Sequence, residues 1–245
     1  MRNNLPFRLV FDPMGVELAA ARECEADVFL ASYGNTMDQL RAEYGPYERS
    51  SAFVALLDPS GEAVAACRLI MPSLVGLKSI NDIGRPPWSV DGHRAARAVR
   101  LDMGRTWDVA TIAVRKGAGA VRPLAAAALY HGLWAAARAN AAKSIVMIMD
   151  ERARRLLSAA AIVTQALPGT GAGAYLGSAT STPLYGHLAQ MADTQRRINP
   201  DAYRLIGHGI GLDGIQIPTP DQWRLRTRTG RVAAADVHPV HAMSA

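Results

Sequence analysis

Cysteine is scarce in this sequence. Only Cys24 and Cys67 occur among 245 residues, and no group of metal-ligand side chains accompanies them. A structural zinc site needs four clustered Cys or His ligands, and small secreted domains use many cysteines in disulfides. The scarcity therefore predicts a protein without a structural metal, in a reducing, cytoplasmic location.

Long apolar runs are also missing. No run approaches the ~20 residues of a transmembrane helix, and Met1 to Val10 lacks the apolar core of a secretory signal. The composition, 49% hydrophobic and 20% charged, is nevertheless typical of a folded protein. We expect no membrane span, one domain over residues 1–224 and a loose tail over residues 225–245, where apolar clustering falls off.

Concentrated charge is absent as well. The net charge is +6, yet the basic residues are scattered, with no run of five and no aromatic-interleaved pattern of RNA-binding proteins. Nucleic acid is therefore not the expected partner, and an acidic cofactor or acidic carrier protein explains the charge better. No Gly-Lys-Ser/Thr follows the glycines, which excludes a P-loop nucleotide enzyme.

The stretch from Trp107 to Glu151 has the clearest organisation. A β-branched run over Trp107 to Val114 predicts a buried strand, and an alanine-rich run over Leu124 to Lys143 predicts a helix. A second strand is predicted over Ser144 to Asp150. Strand, turn, helix and strand together form a βαβ unit, whose helix packs on one face of the sheet through its small alanines.

The turn inside this unit is basic and contains glycine. Free backbone N–H groups, a helix N-terminus and three cationic side chains favour phosphate binding there. The predicted phosphate contacts come from Arg115, Lys116, Gly117, Ala118, Gly119, Ala120, Val121 and Arg122.

The rest of the chain predicts simple elements around this unit. Two strand-length runs flank a Pro-Ser-Gly-Glu turn, which predicts a β-hairpin. Residues 72–105 have loose patterning, typical of a segment that covers a substrate. The expected elements are a helix over Gly15 to Leu30, a turn over Arg41 to Ser50, hairpin strands over Ser51 to Asp58 and Ala63 to Met71, helices over Asp91 to Val99, Glu151 to Ala161 and Asn199 to Ile206, and short strands around Ala174 to Leu176 and Pro183 to Leu188.

Several motifs in this order resemble a known superfamily. AACRLIMP (Ala65 to Pro72) is similar to a strand-end pattern G-x-x-R-L-[LM]-P, and WDVATIAV (Trp107 to Val114) is similar to W-E-[LI]-[ST]-R-[FL]-A-V. Gly76 to Ile83 and Val28-Phe29 resemble further segments of the same proteins. The sequence thus resembles the GNAT superfamily of N-acyltransferases, and within it the autoinducer (acyl-homoserine lactone) synthases and long-chain N-acyl amino acid synthases.

The resemblance implies an α/β fold with a mixed central sheet flanked by helices, in which the two strands of the βαβ unit run parallel and splay apart at one end. It also implies acyl transfer from acyl-CoA or acyl-carrier protein to the amine of a small molecule such as an amino acid or derivative. These thioesters are co-substrates, and no tightly bound cofactor is expected. Free N–H groups of Ala113, Val114 and Arg115 would hold the pantetheine arm and the thioester carbonyl.

Three residues are candidates for catalysis under this resemblance. Asp108 is the leading base, acting through a water; alternatively it pairs with Arg68 and joins two adjacent strands. Arg68 is then a structural partner or orients the carboxylate of the acceptor. Tyr185 is a candidate to protonate the leaving thiolate, with core packing as its alternative.

Substrate contacts are expected from five further residues. Glu48 is a candidate for binding an amino group, Trp88 and Trp107 for walling the acyl chain, and Tyr47, with Tyr44, for lining the acyl pocket. Packing or solvent exposure is the alternative for each. Thr111 stands where the family strand carries Arg.

Some family positions differ in this chain. Asp108 and Thr111 replace a Glu and an Arg, the acidic positions before the hairpin are only loosely matched by Glu43 and Glu48, and the phosphate turn departs from [RQ]-x-x-G-x-[GA] in its first and last residues. The Asp108 and Thr111 replacements favour a second hypothesis, a non-catalytic acyl-thioester-binding or regulatory module on the same fold, whereas the retained Arg68 and the hairpin favour the acyltransferase.

Overall fold

The structure, a computed structural model, describes residues 6–118 and 121–226 and contains one mixed sheet. Its nine strands have the order β6-β8-β5-β4-β3-β2-β1-β9, and β7 pairs with β8. The strands are β1 Phe7–Phe11, β2 Ser51–Leu57, β3 Ala63–Ile70, β4 Thr106–Val114, β5 Ser144–Asp150, β6 Gln165–Ala166, β7 Gly173–Tyr175, β8 Ser178–His187 and β9 Ile215–Gln216.

Helices cover both faces of this sheet. They are α1 Gly15–Tyr33, α2 Met37–Tyr44, α3 Lys78–Asp82, α4 Gly92–Ala98, α5 Arg122–Ala139, α6 Glu151–Ala159, α7 Leu188–Ile198 and α8 Pro200–His208, with 3-10 turns at Gly45–Ser50, Met103–Arg105 and Pro220–Trp223. None of the described helices is both long and apolar enough to cross a membrane.

The predicted hairpin is confirmed as β2 and β3. The two strands pair antiparallel from Ser51 opposite Ile70. Their turn is held by Asp58, whose Oδ1 accepts hydrogen bonds from the amide of Ser60 at 2.8 Å and the amide of Glu62 at 3.0 Å. The carboxylate thus satisfies N–H groups that the tight turn leaves without a strand partner.

The predicted parallel pair is confirmed as β4 and β5, and the pair splays. The ladder begins at Thr106 opposite Ser144 and ends at Asp108 opposite Val146, although both strands continue. On its other side β4 stays paired with β3, with one irregularity: Arg68 lies opposite Thr111 and Leu69 opposite Val109. Ala110 is therefore the extra residue of a β-bulge, which bends β4 at the point where β5 leaves it.

The helix α5 packs closely on one face, as predicted from its alanines. Ala125, Ala128 and Ala136 are fully buried. A Cβ on Gly132 would lie 2.5 Å from Val54 Cγ1, so only glycine allows this approach of helix to sheet. The aromatic side chains Phe11, Trp107 and Trp223 belong to the same core.

The opposite face is covered by α1 and by residues 72–105. Ala21 and Cys24 of α1 pack on Phe53 of β2. The segment containing α3 and α4 packs Leu77 and several neighbours against Val146 and Tyr185 of β5 and β8. This segment confirms the expected helix near residues 91–99 and adds the unpredicted α3.

Some expectations of secondary structure were wrong. The predicted turn over Arg41 to Ser50 is the end of α2 followed by a 3-10 turn, and α2 begins with a capping box in which Thr36 and Gln39 exchange hydrogen bonds. The elements β1, α2, α3, β6, α7 and β9 were not predicted. The expected tail lies mostly outside the described residues; of its described part, the Leu225 amide donates to Asn140 Oδ1 at 2.9 Å.

Candidate active site

The splay of β4 from β5 opens a cavity of about 70 Å³, which we call the cleft. Strand N–H groups point alternately to the two neighbours, so past Asp108 those of β4 on the β5 side lack a strand partner. The cleft is lined by Phe29, Tyr33, Tyr44, Val109, Ala110, Thr111, Ile112, Ile148, Met149, Asp150, Ala153, Tyr175, Leu176, Ser178 and Ser181.

A second cavity lies on the α5 side of the same strands and is apolar. Its volume is about 40 Å³, and Gln195 is the exception among lining residues that are otherwise apolar or aromatic. Val109, Ile112 and Met149 line both this apolar cavity and the cleft, so the two cavities adjoin where the strands part. Met147, Met149 and Met191 lie around it, and methionine adapts its shape readily to an occupant.

A third cavity, of about 670 Å³, lies among α1, α2 and β3 and is polar. Three arginines and three glutamates line it, and Tyr44 lines both this polar cavity and the cleft. The charged lining residues are Arg22, Arg41, Arg68, Glu23, Glu25 and Glu48.

Arg68 is clamped by two glutamates. Its Nε and Nη2 donate to the two oxygens of Glu25 at 2.9 Å and 2.6 Å, and its Nη1 donates to Glu48 Oε2 at 2.9 Å. Thr111 Oγ1 donates to Glu25 Oε1 at 2.6 Å. Burial alone would lower the pKa of the guanidinium, but Glu25 and Glu48 outweigh it and raise the pKa. Arg68 is therefore a permanently charged, bidentate partner of a buried acid.

Glu48 also contacts Arg22. Burial would raise the pKa of the Glu48 carboxyl, yet Arg68 and Arg22 lower it below its usual value. The predicted substrate residue thus lines the polar cavity as a carboxylate held between two guanidinium groups.

Asp108 does not pair with Arg68, and the expected strand-joining ion pair was wrong. The Asp108 side chain is fully buried, and its oxygens accept from the Ser79 amide at 2.5 Å and the Ser79 hydroxyl at 2.8 Å. Burial raises the pKa of Asp108 to about 7, against the lowering effect of these hydrogen bonds. Among the described residues that line the cleft, Asp108 is absent. Its evident contact is to α3.

The helix α3 brings a buried lysine next to the cleft. Lys78 Nζ donates to Asp82 Oδ2 at 2.5 Å and to Glu43 Oε2 at 2.7 Å. Tyr175, on β7, donates its hydroxyl to the same Asp82 oxygen at 2.5 Å. The Lys78 ammonium also lies 5.4 Å from the ring centre of Tyr44. Lys78 and Arg68 are therefore two buried cations that approach the ring of Tyr44.

The predicted aromatic residues are spread over three places. The Tyr185 hydroxyl donates to Gln165 Oε1 at 2.6 Å, two strands away from β4. Trp107 is 3% exposed in the core of the α5 face and stacks on Phe11. Trp88 packs against Tyr175, with ring centres 5.7 Å apart, and Tyr47 accepts from Asn81 Nδ2 at 2.9 Å. Trp88 thus makes a ring contact with the cleft residue Tyr175, and Tyr47 lies in the same buried cluster as the cleft residue Tyr44.

Some residues of the predicted phosphate-binding turn make contacts within the protein. The Arg115 amide donates to Val64 O at 3.0 Å and continues the β3–β4 ladder, so it is not free for a thioester as expected. The Arg115 guanidinium lies 2.6 Å from Asp27. Ala113 and Val114 pair with Ala66 and Ala65 of β3. Lys116 and Gly117 are exposed, Val121 precedes α5, and Gly119, Ala120 and the Arg122 side chain lie outside the described residues.

Four residues of this region were not identified from sequence. Glu25 looks like an ordinary acid on an amphipathic helix, and the one signal for its burial is an arginine, Arg68, within an apolar strand. Lys78, Asp82 and Tyr175 come together only in three dimensions. Within residues 6–118 and 121–226, no group of His, Cys, Asp and Glu side chains is arranged to hold a metal ion.

No protein-family model and no curated protein matches the sequence. Solved structures do match. The chain is similar to FeeM, an N-acyl amino acid synthase from uncultured soil microbes, with TM-score 0.58, 14% identity, and coverage of 77% of this chain and 94% of FeeM. It is similar to BjaI, a CoA-dependent acyl-homoserine lactone synthase solved with SAM and isopentyl-CoA, with TM-score 0.54, 16% identity, and coverage of 89% and 96%.

The acyl-homoserine lactone synthase LasI is similar as well, with TM-score 0.56, 12% identity, and coverage of 79% of this chain and 94% of LasI. At such identities the likeness concerns the fold, while the function has to be argued from the site. The chain therefore shares the fold of these synthases, and the central mixed sheet with flanking helices predicted from its sequence is confirmed.

Proposed function

We propose that the protein is an N-acyltransferase that moves an acyl group from acyl-CoA or acyl-carrier protein to the amine of a small molecule, such as an amino acid or a derivative of one. The observation that carries this proposal is that three cavities adjoin one another. The cleft shares the lining residues Val109, Ile112 and Met149 with the apolar cavity, and it shares Tyr44 with the polar cavity.

Each cavity suits one part of the reaction. An acyl tail fits the apolar cavity, since burial of each methylene there contributes about 0.8 kcal/mol. The thioester then lies in the cleft, where N–H groups of β4 without strand partners can donate to the oxyanion of the tetrahedral intermediate. The bulge at Ala110 turns β4 toward this position.

The polar cavity suits the acceptor. Its three arginines and three glutamates balance in charge, as do the ammonium and carboxylate of an amino acid zwitterion. Since Arg68 already binds Glu25 and Glu48, and Arg22 binds Glu48, Arg41 is the better partner for an acceptor carboxylate. Glu23 is the corresponding partner for its ammonium group.

The names of the similar proteins support the same reaction class. FeeM is an N-acyl amino acid synthase, and BjaI is a CoA-dependent synthase. Phosphate contacts at the basic turn, through Lys116, Gly117 and the N-terminus of α5, remain part of the proposal. So does a cytoplasmic location, where thioester donors are made and where the two free cysteines stay reduced.

A direct assay tests the proposal. The protein is incubated with saturated acyl-CoA donors of increasing chain length and with each of the common amino acids, and thiol release and N-acyl products are measured by absorbance and mass spectrometry. We expect stoichiometric release of CoA and an N-acyl product. Saturable acyl-CoA binding in calorimetry, without thiol release for any acceptor or for acyl-carrier protein, would instead identify the non-catalytic module.

A further inference from the structure

A continuous chain of hydrogen bonds leads from the cleft to solvent. Tyr175 lines the cleft and donates to Asp82 Oδ2 at 2.5 Å. Lys78 Nζ donates to the same oxygen at 2.5 Å and to Glu43 Oε2 at 2.7 Å. The side chains of Lys78 and Asp82 are 3% and 8% exposed, whereas that of Glu43 is 37% exposed. The chain therefore crosses a buried region between two accessible ends.

The surroundings of these groups fix their protonation in the resting state. Burial raises the pKa of Tyr175 far above its usual value, with Tyr44 and Asp82 adding to the effect, so its hydroxyl stays protonated and donates. Burial alone would lower the pKa of Lys78, but Asp82 and Glu43 outweigh it and raise the pKa. Lysine can still give up and regain a proton, which arginine in a protein cannot.

Burying the two charged groups of Lys78 and Asp82 costs free energy that a packed apolar cluster would not. Tyr175 also has no need of a carboxylate partner for packing, because its ring already contacts Trp88. The cost is consistent with a role in the reaction. Because the chain of hydrogen bonds ends at Tyr175 in the cleft, that role would apply to a substrate bound in the cleft.

We propose that Tyr175, Asp82, Lys78 and Glu43 form a proton relay for the transfer reaction, in which Tyr175 is the catalytic residue and the other three connect it to solvent. The inference rests on the proposed N-acyltransferase function and deepens it. It assigns the acid and base role to Tyr175 of β7, rather than to the predicted Tyr185 or Asp108.

The acceptor ammonium gives a proton to the Tyr175 oxygen while Tyr175 passes its own proton to Asp82. Asp82 passes this proton to Lys78 as Lys78 gives one of its three protons to Glu43, which releases it to solvent. The neutral amine attacks the thioester carbonyl, which forms the C–N bond. When the C–S bond breaks, the attacking nitrogen gives its second proton to Tyr175, and Tyr175 gives its hydroxyl proton to the thiolate. The products are an amide, a thiol and one proton released to solvent.

Other charged groups surround the relay and set its behaviour with pH. Arg85 Nη1 lies 4.0 Å from Asp82 Oδ1. Asp108 is held by Ser79, the residue next to Lys78, and the phenol of Tyr44 lies under the ammonium. Asp82 and Glu43 raise the pKa of Lys78, so in the resting state we assign the proton to Lys78.

Two variants and a control test the relay. Tyr175→Phe removes one hydroxyl and keeps the ring, Lys78→Arg keeps the positive charge but cannot release a proton, and Tyr203→Phe removes a hydroxyl on α8, outside the cleft lining. With the active wild-type protein, kcat, KM, acyl-CoA affinity and melting temperature are measured for each, and kcat is followed against pH.

We expect kcat to fall about 10²–10⁴-fold in Tyr175→Phe, with KM and acyl-CoA affinity retained. Its residual rate should rise about tenfold per pH unit below the pKa of the acceptor amine, because solvent then removes the proton. Lys78→Arg should also lose kcat, although a structural role would tolerate the arginine. Tyr203→Phe should match the wild type.

Full activity in Tyr175→Phe, or a loss of kcat that merely follows a lowered melting temperature in both variants, overturns the relay while leaving the acyltransferase function in place. A wild-type protein that binds acyl-CoA and transfers no acyl group to any amine overturns both.

Discussion

Two buried cations approach the ring of Tyr44, and they are held in different ways. Arg68 Cζ lies 4.8 Å from the ring centre and Lys78 Nζ 5.4 Å. Arg68 is enclosed by Glu25 and Glu48, which take three of its donors, and arginine does not release a proton. Lys78 is linked to a cleft residue on one side and to a partly exposed carboxylate on the other. The first cluster fixes α1 to the sheet, and the second connects the cleft with solvent.

The difference shows that burial and charge alone do not identify a catalytic group. Arg68 is the residue that the family motif indicates, yet its contacts are those of a structural clamp that shapes the polar cavity. Lys78 lies in the family-like segment Gly76 to Ile83 but was not singled out from the sequence, yet it lies in the path from the cleft. Each prediction below changes one side of this comparison.

Loss of the clamp should have the largest effect. Arg68→Met leaves the carboxylate of Glu25 buried without its cation, and such a change costs about 3–5 kcal/mol of unfolding free energy. Chemical denaturation measures it. Arg41→Met is the matched control, since the Arg41–Asp38 pair is largely exposed and contributes about 0–1 kcal/mol. Equal stabilities of the two variants would contradict the structural role of Arg68.

The variant Asp108→Asn tests whether Asp108 is a catalytic base or a structural hydrogen-bond partner of Ser79. Both Asp108 oxygens accept from Ser79, and an amide group offers one acceptor and one donor, so we expect a loss of about 1–3 kcal/mol of unfolding free energy, with activity following stability. Unfolding curves and kcat at the same temperature decide between the roles. A stable variant that binds acyl-CoA and loses about 10²–10⁴-fold in rate would make Asp108 the base.

The same residue predicts a pH dependence of stability. Its pKa is raised from 3.8 to about 7 in the folded protein, so between these values the folded state binds a proton that the unfolded chain releases. The stabilisation is complete below pH ~4, is lost as the pH rises to about 7, and changes no further above it. The unfolding free energy of the wild type should therefore fall over this range relative to Asp108→Asn, and parallel curves for the two proteins would count against it.

A change at the junction of two cavities should have a smaller, selective effect. Ile112 lines both the cleft and the apolar cavity, so Ile112→Trp should narrow the passage between them. We expect kcat/KM to fall roughly tenfold or more for long-chain donors and to change little for acetyl-CoA, as measured in the thiol-release assay. An equal loss for all chain lengths would show that the acyl tail lies elsewhere.

The smallest expected effect is at the basic turn. Lys116 is exposed, and Lys116→Ala should weaken CoA binding by about 0.2–1 kcal/mol at low salt and less at high salt, because an exposed charge pair is screened. Calorimetry at two ionic strengths measures the change. Arg224→Ala, which removes an exposed cation directly after the 3-10 turn Pro220–Trp223, serves as the control.

Local patterns predicted the elements that depend on neighbouring residues. The β4–α5–β5 unit and the hairpin follow from periodicity and turn chemistry, and β5 has the predicted limits, Ser144–Asp150. The α2 helix was missed because Gly45-Pro46 indicated a turn, whereas the helix ends at those residues. The five residues of α3 are too few for a periodic signal.

The sequence predicted site residues only where a single residue is unusual in its local pattern. Arg68 is a charged residue in an apolar strand, so its need for a partner was evident from the sequence. The sequence did not show that this partner is Glu25, which is 43 positions away along the chain and lies 2.6 Å from Arg68. Tyr175 and Asp82 are 93 positions apart. Contacts of that kind depend on the strand order β8-β5-β4-β3, which no local pattern specifies.

A crystal structure with a non-hydrolysable thioether analogue of a long-chain acyl-CoA tests the central claim most directly. We predict that the tail passes between β4 and β5 into the apolar cavity beside Ile112, and that the sulfur lies within hydrogen-bonding reach of the Tyr175 hydroxyl. An analogue bound with its tail outside the splay, or with its sulfur remote from Tyr175, would contradict the account.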